Sequence, residues 1–169
     1  MSIPSVIVTV ADQLQSEAWS QNGQFSYQEL QEIRTILSRH DNTYELIGSG
    51  STRIVVRSSE EDVVYKINCI PSDSQNKTEV RIWNQGCRNI PQKHLAEVFS
   101  WTDSYTVIEM EYCRDLSELT LEEFHTTLSE FYDGYYEYTD EGAKDSWGFS
   151  SDGVIKCRDY GRALVSENN

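Results

Sequence analysis

Apolar residues recur along this chain at two different periods, and the changes of period mark its elements. Between Tyr44 and Arg57 two β-branched runs flank Gly48-Ser-Gly50, and the second leads through Ser58-Ser-Glu-Glu-Asp62 into Val63-Val-Tyr-Lys66. That order predicts strand, glycine loop, strand, hairpin, strand. His94–Trp101 and Tyr105–Cys113 predict two further strands joined by Thr102-Asp-Ser104. Helical spacing takes over elsewhere. Ser26-Tyr-Gln-Glu29 is a capping box ahead of Leu30, Ile33, Ile36 and Leu37, predicting a helix of about three turns that packs on the sheet. A turn cluster, Pro71–Asn76, leads into a short helix over Lys77–Gly86, with Val80 and Trp83 on one face and Gly86 as its stop. Thr120-Leu-Glu-Glu123 is a second capping box, and Leu121, Phe124, Leu128, Phe131, Tyr132 and Tyr135 follow at helical spacing. This aromatic stripe reads as core rather than ligand site. Ser150-Ser-Asp-Gly153 is a hairpin turn between two short runs. Near the start, Val6–Val10 reads as a strand, and the polar run after it shows no period.

The length of 169 residues suits one domain with a real core. No stretch approaches the roughly 20 apolar residues of a membrane helix, and no basic-then-apolar leader is seen, so a cytoplasmic protein without membrane contact is expected. If the chain is viral, that cytoplasm is the host's. Cys69, Cys87, Cys113 and Cys157 form no C-x-x-C pair and share no ligand spacing with His40, His94 and His125, which predicts reduced structural thiols. The net charge of −14 is concentrated: residues 109–152 hold 13 acids and 2 bases, net −11. Such a surface repels nucleic-acid phosphates, so direct nucleic-acid binding is not expected. The acids read first as a solvated helix face, and otherwise as a docking surface for a basic protein partner or as halophilic adaptation.

Chemistry enters at the glycine loop. Gly48 and Gly50 let backbone approach a ligand closely and turn its N–H groups onto phosphate oxygens, and Lys66 supplies a point charge for phosphate. Gly48, Gly50 and Val55 match the protein-kinase pattern G-x-G-x-x-G-x-V, with Arg53 where the third glycine belongs. The strand ending Met110-Glu-Tyr resembles the one that enters a kinase hinge, and Trp147-Gly-Phe149, Asp152-Gly153 and Asp159-Tyr-Gly161 resemble the hairpin and Asp-Phe-Gly motif of small phage and archaeal kinase-like proteins. The chain is identified on these residues as resembling a minimal protein-kinase-like superfamily member.

The resemblance implies an α+β fold: an N-lobe antiparallel sheet with one helix of the αC type and a much reduced helical C-lobe. Residues 1–43 would be an extension with one helix, 44–113 the N-lobe and 114–169 the C-lobe. It implies ATP and magnesium as cofactors. Gly48, Ser49, Gly50, Ser51, Val55, Lys66, Met110, Glu111 and Cys113 would hold the nucleotide, Glu79 would pair with Lys66 rather than face solvent, and Asp159 would hold the metal. Two registers remain for the catalytic loop. One makes Asp140 the base and Asp145 a metal ligand; the other makes them Glu141 and Ser146. The family's H-x-D-x-x-x-x-N lacks its His and Asn here, and an activation segment and peptide-binding helices are expected to be missing. Three functions follow: an ATP-dependent phosphotransferase acting on a protein, a pseudokinase serving as a binding or inhibitory module, and an acidic DNA mimic.

Overall fold

The computed structural model describes residues 3–16, 25–40, 42–131 and 143–161. In chain order they form α1 (Ser5–Ser16), α2 (Tyr27–His40), β1 (Tyr44–Ser49), β2 (Arg53–Ser58), β3 (Val63–Asn68), α3 (Gln75–Gln85), β4 (Val98–Trp101), β5 (Val107–Glu111), α4 (Leu121–Ser129), β6 (Trp147–Phe149) and β7 (Ile155–Cys157). The class is α+β. Strands β1 to β5 make one antiparallel sheet of order β1-β2-β3-β5-β4, and β6 and β7 pair as a separate hairpin. The chain divides into two compact units, residues 1–76 with 98–111 and residues 77–97 with 112–169.

In the first unit the period-2 pattern of the strands sorts side chains onto two faces. Leu46, Ile54, Val56, Tyr65, Ile67 and Val107 share one face and pack against Ile33, Ile36 and Leu37 of α2. The capping box of α2 forms as its sequence requires: the Ser26 N–H donates to Glu29 Oε2 at 2.6 Å, and the Glu29 N–H to Ser26 Oγ at 3.2 Å. On the same core face Glu109 is buried, accepting from Tyr65 Oη at 3.4 Å and Ser100 Oγ at 2.5 Å. Burial and the neighbouring Glu109 charge hold the Tyr65 phenol protonated far above its usual range. The first acid of the acidic segment is therefore an internal acceptor. Glu122, Glu123 and Glu130, by contrast, are exposed on and just after α4, as a solvated face requires.

The expected strand at Val6–Val10 is instead part of α1, which belongs to the sheet unit. Ile7, Val10, Ala11 and Leu14 stand at i, i+3, i+4 and i+7, and all four are buried in the same core as α2. β-branched residues lose at most about 0.7 kcal/mol each in a helix, and burying four side chains outweighs that. Gln15 adds a bond from its Nε2 to the Asn68 carbonyl at the end of β3, 3.1 Å.

The second unit holds most of α3 with α4 and the β6–β7 hairpin. Glu79, Val80 and Ile82 of α3 are buried, and Gly86 ends the helix at φ 94° with its N–H on the Ile82 carbonyl at 2.7 Å. The Thr120 capping box forms, but α4 ends at Ser129, short of the expected stripe. Phe124 and Leu128 are core, Leu121 is 61% exposed, and Tyr132 and Tyr135 lie outside the described residues. Phe131 falls beyond the helix and stacks on His94 with ring centroids 3.6 Å apart. His94 itself sits in a 3-10 turn, Gln92–His94, so the expected strand from His94 begins only at Val98. The β6–β7 turn is closed by Gly153 at φ 82°, whose N–H meets the Ser150 carbonyl at 3.0 Å. All four cysteines are free, and burial pushes the Cys69 thiol up to about 12. Among the described residues no helix is long and apolar enough to cross a membrane.

Because α1 completes the core under the sheet, Leu14→Ala should lower stability by about 2–5 kcal/mol, the range for a fully buried leucine. Chemical denaturation measures it. A loss below about 0.5 kcal/mol would mean that α1 is an appendage.

Candidate functional site

The sheet face opposite that core carries four of the predicted nucleotide residues, Gly48, Val55, Lys66 and Met110, whereas Ser49 pairs with the core residue Ile54 and Cys113 lies beyond the end of β5. Strand register sets Gly48 opposite Val55, Val55 opposite Lys66, and Lys66 opposite Ile108, a single row across β1, β2, β3 and β5. The adjoining row holds Arg57, Val64 and Met110. Residues directly paired across antiparallel strands share a face, so Gly48, Val55, Lys66 and Met110 are brought together there. Lys66 is 4% exposed on β3, the middle strand. Glu111, next to Met110 on β5, has the opposite parity and presents its side chain to the other face.

The glycine loop departs from expectation in two ways. Gly50 donates its N–H to the Arg53 carbonyl at 2.8 Å, closing a tight turn over Ser51 and Thr52. That amide serves the hairpin and is not offered to a phosphate. Where the pattern has its third glycine, Arg53 is 6% exposed and its Nη1 donates to Asn76 Oδ1 at 3.2 Å. Thr52 is tied down beside it. Its hydroxyl donates to Asp73, its carbonyl accepts the Cys69 N–H at 2.9 Å, and Gln75 Nε2 reaches its Oγ1 at 3.2 Å. Asp73 also accepts the Gln75 N–H at 2.6 Å, where α3 begins. The sequence shows Pro71–Asn76 as a turn and cap, and nothing local announces that it also anchors the glycine hairpin.

Neither loop glycine is demanded by the fold. Neither has positive φ, and a Cβ would sit 3.6 Å from Val55 Cβ at Gly48 and 3.9 Å from the Arg53 carbonyl at Gly50, both ordinary contacts. Gly148 is the opposite case. A Cβ there would lie 2.6 Å from the Arg114 carbonyl and 2.7 Å from Cys113 Cβ, because residues 113–114 cross β6 through paired Arg114–Phe149 backbone bonds of 2.8 and 2.9 Å. Trp147-Gly-Phe149 thus owes its glycine to packing.

In the second unit, Asp145, Ser146 and Asp159 come together. The Ser146 carbonyl accepts the N–H groups of Arg158 at 2.7 Å and Asp159 at 3.2 Å. The Arg158 guanidinium holds the Asp145 carbonyl through Nε and Nη2 at 3.2 Å each, the Cys113 carbonyl through Nη1 at 2.9 Å, and Asp115 at 2.6 Å. Asp145 and Asp159 are exposed, whereas Ser146 is buried. Asp140 and Glu141 lie outside the described residues. Tyr160 is fully buried with its hydroxyl on the Ala96 carbonyl at 2.8 Å, and burial together with the Glu79 charge raises its pKa well above the usual phenol value. Glu79 is 0% exposed, so it is not a surface glutamate. It belongs to the second unit and Lys66 to the first. Among the described residues no group of three His, Cys, Asp or Glu side chains is placed to hold a metal. Asp145 and Asp159 are hard oxygen donors of the type magnesium takes alongside water and phosphate.

Compared with known proteins, the chain matches no family model and no curated protein. The glycines therefore have to be judged by experiment. Gly148→Ala should destabilise by about 1–3 kcal/mol or more through overpacking against backbone, while Gly48→Ala and Gly50→Ala should stay within about 0.5 kcal/mol of the parent. Equal losses at all three positions in thermal or chemical denaturation would contradict the geometry.

Proposed function

We propose that this chain is a kinase-like ATP-binding protein that transfers the γ-phosphoryl group of ATP to a protein hydroxyl with magnesium. The observation that supports it most is the row Gly48, Val55, Lys66 on the non-core face, flanked by Met110, together with two glycines whose smallness the fold itself does not use. A small residue with no structural reason leaves room for close approach of a ligand. Lys66 would neutralise phosphate charge, Val55 and Met110 would pack on the base, and the backbone of Glu111 to Cys113 would read its edge. In the transfer the acceptor oxygen bonds to the γ-phosphorus as the bond to the β,γ-bridging oxygen breaks. The hydroxyl proton passes to the base, and ADP leaves. Magnesium, held by Asp159 and a second ligand, would supply charge for the oxygens.

Exposure favours the register with Asp140 as base and Asp145 as the second ligand, because the alternative Ser146 is buried and its carbonyl is occupied by two amides. Burial removes the surface-acid reading of Glu79. A pseudokinase that binds a basic protein through its acidic segment is the second reading. It is favoured by the engagement of the Gly50 amide in the turn, which removes one phosphate donor. The DNA-mimic reading is weaker, because Glu109 is buried and the acids of α4 share their helix with core positions Phe124 and Leu128.

Magnesium and ATP at millimolar concentration should raise the melting temperature, and Lys66→Ala should abolish the shift. Radiolabelled ATP should then label the chain or a co-purified partner, with Asp159→Ala and Asp140→Asn silent and Glu141→Gln active. Binding without transfer moves the assignment to the pseudokinase, and an unchanged wild-type melting temperature ends the ATP reading altogether.

A further inference from the structure

The family pattern expects a glycine at position 53, and this chain has a buried arginine there. We infer that Arg53 is a positioning residue which, through Asn76, locks the glycine hairpin in place and so sets where phosphates meet Lys66. The inference rests on the nucleotide reading above for its ligand, a nucleoside triphosphate, but its structural half stands independently.

Asn76 is 0% exposed, and its side chain is fully used. Its Oδ1 accepts from Arg53 Nη1 at 3.2 Å, and its Nδ2 donates to the carbonyls of Lys66 at 3.0 Å, Tyr105 at 3.0 Å and Thr106 at 3.1 Å. One amide thus joins the start of β2, the backbone of the phosphate lysine and the turn between β4 and β5. Arg53 stands opposite Asn68 in the sheet, and Asn68 in turn donates to the carbonyls of Asp73 at 3.2 Å and Tyr105 at 3.4 Å. The hairpin tip is held a second time by Thr52, Asp73 and Gln75. A glycine at 53 would remove the guanidinium and leave Asn76 Oδ1 buried without it, a loss the fold would have to absorb locally. A glycine loop in this setting is a fixed cradle. The arginine replaces flexibility with preorganisation, so binding spends less on ordering the loop.

The prediction runs against the family pattern. Arg53→Gly, which restores the expected glycine, should weaken magnesium–ATP binding about tenfold, equivalent to about 1.4 kcal/mol, and Asn76→Ala should do the same with Arg53 intact. Arg53→Lys, which keeps a donor, should recover part of the loss. Hydrogen exchange without nucleotide gives an independent readout. The Gly50 and Cys69 amides, which close the hairpin on Arg53 and Thr52, should exchange about tenfold faster in Arg53→Gly and Asn76→Ala. Ile33→Val and Leu37→Ala in α2, which lower stability through the opposite face, serve as controls and should leave both readouts near the parent when all are measured well below melting. Unchanged exchange in the two polar variants overturns the lock, as does an equal affinity loss in core variants of matched melting temperature. If the parent binds no ATP, the nucleotide reading fails while the exchange result still decides whether Arg53 fixes the hairpin.

Discussion

The middle strand of the sheet has to satisfy two opposed demands within three residues. Tyr65 and Ile67 fill the apolar core against α1 and α2, while Lys66 between them turns a buried ammonium to the other face. A slip of one residue would drive the lysine into the core and the core residues out. Several contacts hold the register against that slip. The apolar set of β3 meets Val56 and Ile54 on one side and Val107 on the other, and the Asn76 amide grips the Lys66 carbonyl itself. The Asn68 N–H meets the Thr106 carbonyl at 2.8 Å where the strand ends. Everything assigned to the non-core face depends on this registration, since Gly48, Val55 and Met110 reach that face only through their pairing with β3 or with its neighbours.

Capping boxes, the glycine turn and strand alternation were legible because each is decided by residues within one turn of helix or one strand. The two capping boxes form with the partners their spacing demands, and the five strands of the sheet appear where the β-branched runs lie. The first helix was misread because Val6–Val10 is β-branched. Its decisive signal was the spacing of Ile7, Val10, Ala11 and Leu14, which outweighs propensity once a core exists to receive it. The end of α4 was misread for the converse reason. Phe131 continues the stripe on paper but finds its place by stacking on His94, 37 positions earlier in the chain, and no local period encodes that.

The polar anchors were the least legible part of the site. Arg53 to Asn76 spans 23 residues and Arg158 to Cys113 spans 45, and arginine and asparagine carry no periodic signature that would mark them as buried. Position 53 looked like a defect in a family pattern, whereas its side chain is among the most enclosed of the charged groups. Asp145 and Ser146 were equally plausible from spacing alone. The backbone path turns Ser146 inward, its carbonyl under the amides of Arg158 and Asp159, and leaves Asp145 exposed, a difference that no local pattern announces.

A net charge of −14 does not fix the sign of every face of the sheet. The total describes solubility and long-range encounter, and it is screened over a Debye length of about 8 Å at physiological salt. Binding at a sheet face is decided closer in. Arg53, Val55 and Arg57 alternate onto the same side of β2, and Lys66 lies opposite Val55, so the face holds three cations within two neighbouring strands. Glu109 on β5 points the other way and accepts hydroxyl hydrogen bonds from Tyr65 and Ser100. Strand parity holds Glu109 within the core by hydrogen bonds and sets Arg53, Arg57 and Lys66 on the opposite face, where Glu45 of β1 lies across from Arg57.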